Sequence, residues 1–187
     1  MKLDLSRDKE KIRRYISKRI KNYPAYVNDG PGEDDAPIQA IMLGFYAEQG
    51  GYIYLVFDTR PGKNLDGNWT LHIDEPNMLH FPKWCDFYEK ACEGSAVTLV
   101  LDDGTVKKLA YTADDDDEDE CVDDDSLEEL NSYFAEMLRK LMCELRDDGS
   151  LSKLPLRKDA YFMIEEFDGR YFWPEIRSAK TKGRILN

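Results

Sequence analysis

At 187 residues the chain is long enough to bury the core of one sizeable domain, 1–187, and too short to suggest two. Apolar and aromatic fractions of 42% and 12% are ordinary for a globular protein, so a mean hydropathy of -0.63 reflects abundant charge rather than a missing core. Ten of the twelve net negative charges come from Asp114, Asp115, Asp116, Asp117, Glu118, Asp119, Glu120, Asp123, Asp124 and Asp125; the rest of the chain is nearly neutral, which disfavours nucleic acid as a partner, and no run of about twenty apolar residues suggests a membrane span.

The first residues, MKLDLSRDKEKIRRY, carry no apolar stretch behind their charges and do not read as a secretory signal, so a cytoplasmic protein is expected. Cys85, Cys92, Cys121 and Cys143 form no CxxC pair, which fits reduced thiols better than a disulfide framework.

In chain order, Ser6 to Tyr23 has the spacing of a helix. Ser6 is a suitable cap, Ile12, Tyr15, Ile16, Ile20 and Tyr23 form an apolar stripe, and Pro24 stops it. Lys9, Lys11, Arg13, Arg14, Lys18, Arg19 and Lys21 surround that stripe. A solvated basic face is the commoner meaning of such a pattern, with an RNA or membrane surface, or the chain's own acidic run, as the other readings. After a Gly- and Pro-rich loop, Ile38 to Ala47 and Tyr52 to Asp58 read as strands joined at Gly50-Gly51. In the second strand Tyr52, Tyr54 and Val56 alternate with Ile53, Leu55 and Phe57, so both faces are apolar and the strand is expected to lie centrally. A further strand is expected over Asn68 to Ile73.

Phe81 to Cys92 reads as a short helix with Pro82 in its first turn and Trp84, Phe87, Tyr88 and Ala91 turned inward. A second hairpin, Ala96 to Leu101 and Thr105 to Tyr111, turns at Asp102-Asp103-Gly104. Like charges at the density found in 112–125 cannot pack together, so a mobile, solvated loop is expected there. Ser126 to Gly149 follows as the strongest helix: Ser126 and Glu129 suit a capping box, Leu127, Leu130, Phe134, Leu138, Leu141 and Leu145 form a stripe, Met137 and Met142 widen it, and Gly149 ends it. Residues 150–160 read as a linker, Tyr161 to Phe167 and Arg170 to Trp173 as a hairpin over Asp168-Gly169, and Arg177 to Asn187 as a frayed end. The order implies an α+β domain with a largely antiparallel sheet of about six or seven strands and three helices packed on it.

Chemistry-bearing residues are sparse. His72 and His80, with Cys85 and Cys92, match no zinc spacing, and no catalytic, phosphate-binding or dinucleotide motif is present, so no catalytic residue, metal or cofactor is expected. A hydrolase or metal-dependent enzyme with a cleft near His72, His80 and Asp58 remains the alternative. The acidic run lacks the central glycine of a calcium loop. It suits either a solubilising loop or a negative surface that meets a basic protein partner such as a nuclease. Trp69, Trp84, Tyr171, Phe172 and Trp173 are the aromatic candidates to anchor such a partner, with core packing the commoner role; Trp173 joins the acidic residues as the proposed partner-binding set.

The segments SYFAEMLRKLMCELRDDGSL and DAYFMIEEFDGRYFWPEI, preceded by IMLGFYAEQGGYIYLVFD and FPKWCDFYEKA, resemble in layout a group of uncharacterised bacterial α+β proteins linked to polymorphic-toxin immunity. That resemblance carries over no functional residue. It implies a non-enzymatic binding protein that sequesters a basic toxin; a regulatory or scaffold domain is the third reading.

Overall fold

In the computed structural model, residues 1–26, 37–48, 50–59, 78–110, 124–166 and 170–172 are described. The expected strand over Asn68 to Ile73, the 112–123 part of the expected mobile loop, the Asp168-Gly169 turn and the C-terminal end lie outside them.

The chain opens with a short strand, β1 (Lys2–Asp4), which feeds directly into helix α1 (Leu5–Lys21). The cap of α1 is Asp4 rather than Ser6: the Ser6 backbone N–H donates to Asp4 Oδ1 at 3.1 Å, and the Ser6 hydroxyl donates to the same oxygen at 2.6 Å. A carboxylate beside the positive end of the helix serves this position well. Strands β2 (Ile38–Tyr46) and β3 (Tyr52–Asp58) form the expected antiparallel hairpin, with Tyr46 opposite Tyr52. They are followed by β4 (Leu79–His80), α2 (Pro82–Cys92), the hairpin β5 (Val97–Val100) and β6 (Val106–Leu109), α3 (Asp124–Asp147), β7 (Leu156–Glu166) and β8 (Arg170–Phe172).

These eight described strands divide into two mixed sheets, not one largely antiparallel sheet. A three-stranded sheet has the order β1-β5-β6, with β1 parallel to β5; a five-stranded sheet has the order β4-β3-β2-β7-β8, with β7 parallel to β2. Alternation of apolar residues carries no strand direction and no partner, so neither parallel pairing shows in the period-two pattern. In the larger sheet β3 is an interior strand with both faces buried, as expected, and β2 is the middle one.

The segment expected as a linker is structured. Leu151–Lys153 is one tight helical turn, Leu151 and Leu154 are buried, and β7 begins at Leu156, where the Ile38 N–H donates to the Pro155 carbonyl at 2.8 Å. Few apolar residues sit between Ser150 and Ala160, yet two of them, Leu151 and Leu154, seal this end of the core.

Helix α3 starts two residues earlier than its stripe suggests, inside the acidic run, and Gly149 at φ +78° ends it. Ser126 therefore lies within the first turn. Glu129 accepts from the Tyr133 hydroxyl one turn on instead of reaching back to a cap. Leu130, Phe134, Met137, Leu138, Leu141, Met142 and Leu145 are all buried, as the spacing predicts. With Ile12 and Ile16 of α1, Trp84 and Phe87 of α2, and Leu43, Phe45, Leu55 and Phe57 of the sheet they form one continuous core. On the opposite face of the five-stranded sheet a second small cluster, Met42, Tyr54, Val56 and Met163, is also buried.

Gly51 sits at φ +64° in the β2–β3 turn, and a Cβ there would lie 2.0 Å from the Phe81 carbonyl oxygen. The Phe81 N–H donates to the Gly51 carbonyl at 2.7 Å, which brings the start of α2 against this turn. Gly51→Ala is expected to cost about 1–2 kcal/mol through the left-handed backbone alone, with the clash against Phe81 added, as read from the urea midpoint. Gly104→Ala, at φ +85° but with open space around it, serves as the control that pays only the backbone term.

Candidate functional site

The acidic run is flanked by β6 on one side and α3 on the other, and these two elements touch. Lys107 of β6 places its ammonium 5.6 Å from the centroid of the Tyr133 ring on α3, a cation–π contact between the two flanks. This contact joins the strand that precedes the acidic run to the helix that follows it. Asp124 and Asp125 form the first turn of α3, at the positive end of its dipole. Asp114, Asp115, Asp116, Asp117, Glu118, Asp119, Glu120 and Asp123 lie outside the described residues, as do Trp69, His72, Cys121 and Trp173.

Tyr133 is half-buried, and its hydroxyl donates to Glu129 Oε1. Burial, and next the acceptor Glu129, push its phenol up to about 12, so the ring keeps its proton and donor through the physiological range. Val106, the residue before Lys107 and therefore on the other face of β6, is 56% exposed and one of few large apolar side chains that the described residues show to solvent. Glu128 and Glu129 are also exposed. Tyr133 is thus an aromatic ring flanked on α3 by exposed carboxylates. The sequence reading passed over Tyr133 because it lies beside Phe134 at the edge of a helical stripe. Its spacing of four from Glu129 and its polar tip were the available signals.

Other candidates are dispersed by the fold. Trp84 is not a surface anchor: it is 0% exposed, stacked on Phe81 at 4.7 Å and tilted against Phe134 at 4.5 Å. Tyr171 and Phe172 stand on β8 opposite Ile164 and Met163. His80 is exposed and packs edge-on to Tyr52 at 4.4 Å. It pairs with the first residue of β3 while the buried Asp58 is the last, so the two are roughly 20 Å apart along the strand and share no cleft. Asp58 instead lies across Ala40 from Tyr161; burial, and next the Asp58 charge, push that phenol up. Cys85, Cys92 and Cys143 are free thiols, and Cys85 Sγ lies 3.1 Å from the Glu48 carbonyl rather than beside a histidine. Among the described residues no three His, Cys, Asp or Glu side chains converge to hold a metal ion, and no helix is long and apolar enough to cross a membrane.

A second charged cluster ties elements together. Lys9 of α1 donates to Asp102 at 2.9 Å and to Glu144 at 2.6 Å, Lys140 donates to Asp102 at 3.2 Å, and Arg13 contacts Glu144 and Asp148. It joins α1, the β5–β6 turn and α3, and every member already has a partner. Neither family models, nor curated proteins, nor solved structures match this chain.

Proposed function

We propose that this protein is a non-enzymatic binding module of the cytoplasm that engages a basic protein partner, such as a cationic toxin, through the acidic segment and the surface at its base. The observation that carries the reading is the contact between Lys107 and Tyr133. It links the two elements between which the acidic run lies in sequence, at a half-buried tyrosine near exposed Glu128 and Glu129. Carboxylates steer a cationic partner and accelerate encounter, whereas the Tyr133 ring supplies a desolvated contact that slows departure. The chemistry is that of a surface mimicking a polyanion, so a partner that normally meets nucleic acid fits it.

The test uses the full chain and a cationic, nucleic-acid-cleaving toxin. Replacing the acidic residues of 114–120 by Asn and Gln is expected to lower the association rate at low salt by about 10- to 100-fold with little change in dissociation. Tyr133→Ala is expected to do the reverse, speeding dissociation. Binding that is insensitive to both changes, or no neutralisation of the toxin by the intact chain, sinks the proposal.

A further inference from the structure

The cations of α1 fall into two groups that only packing separates. Lys9, Arg13 and Arg19 lean toward the body: the first two reach Asp102, Glu144 and Asp148, and Arg19 is buried against the Tyr15 ring at 4.7 Å. Arg7, Lys11, Arg14, Lys18 and Lys21 are all exposed. At 100° per residue these five lie within an arc of about 80°, opposite the stripe of Leu5, Ile12, Ile16 and Ile20, along about 21 Å of helix. No carboxylate falls in that arc; Glu10 stands at its border and lends its backbone carbonyl, not its side chain, to Arg14 at 3.3 Å.

Compensation of these charges is weak. Arg7, 85% exposed, is 3.7 Å from Asp4, and Lys11, 58% exposed, is 4.0 Å from Asp8 and 5.7 Å from the centroid of the Phe81 ring. Both acids are already engaged more closely, Asp4 by Ser6 and Asp8 by the Trp84 indole N–H at 2.8 Å. Lys18 and Lys21 have no carboxylate within 4 Å among the described residues.

We propose that this outer face of α1 is a docking surface for the phosphate backbone of double-stranded nucleic acid, read without regard to sequence. It goes beyond the toxin-binding reading and does not rest on it. The arc holds no apolar or aromatic side chain. A protein interface needs such anchors, an interfacial helix needs an apolar face to insert, and single-strand binding needs rings for bases to stack on. Phosphate contact needs only positive charge in a row, and a straight row of five suits a duplex strand. The net charge of -12 opposes such binding at long range, but at physiological ionic strength charges more than about 8 Å from the row are largely screened.

The experiment is fluorescence anisotropy of a labelled duplex of roughly twenty base pairs, in two unrelated sequences, titrated with the full chain across a salt series. Five phosphate contacts are expected to give a slope of about -4.5 in log affinity against log salt, a loss of about 500-fold between roughly 50 and 200 mM, equal for both sequences. Lys18→Gln with Lys21→Gln leaves three contacts, a slope of about -2.7 and a loss of about 40-fold. Arg7→Gln with Arg14→Gln is expected to behave alike, and Lys158→Gln, exposed on β7, to leave the slope unchanged; circular dichroism confirms that each variant folds. No binding at the lowest salt, an unchanged slope in both double variants, or tighter binding to phosphatidylserine vesicles or to polyglutamate than to the duplex overturns the proposal.

Discussion

Trp84→Ala is expected to lower the unfolding free energy by about 3–5 kcal/mol from the lost ring, and by about 1–3 kcal/mol more from the acceptor it leaves behind. The indole is wholly buried between Phe81 and Phe134, so no surface loop can fall in to fill its space. Its N–H is also the closest donor to Asp8, whose carboxyl is pushed up by burial even though Trp84 and Lys11 pull the other way. Trp84→Phe separates the two effects, since it keeps most of the stacking and removes the donor. A raised folded pKa means that the folded state favours the protonated acid. Asp8 therefore adds stability below its ordinary value of 3.8 and withdraws it as pH rises through the folded value. At neutral pH the indole donor offsets the cost of a buried carboxylate. The cost of Trp84→Phe should accordingly be larger at pH 7 than below 3.8, by urea midpoints at unchanged m-value. A loss under about 1 kcal/mol for Trp84→Ala would show that the ring does not seal this core.

Asp102→Asn is the second change with a large effect, about 2–3 kcal/mol, between the limits for exposed and buried ion pairs. The Asp102 side chain is 8% exposed and Lys9 13%, and asparagine keeps the turn chemistry of Asp102-Asp103-Gly104, so the variant isolates the charge. Burial alone would raise the Asp102 carboxyl; hydrogen bonds from Lys9 and Lys140 outweigh it and hold the group below 3.8. A depressed folded pKa contributes stability that is present above 3.8 and lost as pH falls through the folded value. Lys9 is the mirror case. Burial alone would lower it, but Glu144 and Asp102 raise it above 10.5, so its contribution is intact below 10.5 and lost as pH rises through the folded value. Wild-type protein should thus lose part of its urea resistance on the acid side of 3.8, while Asp102→Asn starts lower at neutral pH and changes less there. Equal stability of the two proteins at pH 7 would mean that solvent, not this network, holds α1 to the β5–β6 turn and α3.

Two kinds of feature separate cleanly in this molecule. The α3 stripe, the inward face of α2 and the turns at Gly50-Gly51 and Asp102-Asp103-Gly104 were all legible in the sequence, because each depends on residues within a few positions of one another. The α1 cap was missed by two positions, since Asp4 and Ser6 both carry capping oxygens and the choice between them is made by where β1 ends. β1 itself, only three residues long, has too few positions to show a period. It exists because β5 offers a parallel edge, with the Thr98 N–H reaching the Met1 carbonyl at 2.8 Å.

The candidate surfaces follow the same division. Ten carboxylates in one run were plain from composition, and so were the many cations of the first helix. That β6 and α3, the elements on either side of the run, meet at Lys107 and Tyr133, and that five cations face solvent while three are turned inward, was not legible. By itself the sequence determined the helices, the hairpins and the local signs of charge. Sheet partners, strand directions, the separation of His80 from Asp58 and the sorting of the cations were decided by the tertiary structure. Local propensities arise from neighbours along the chain, whereas pairing and burial arise from residues a hundred positions apart whose meeting no short-range pattern encodes.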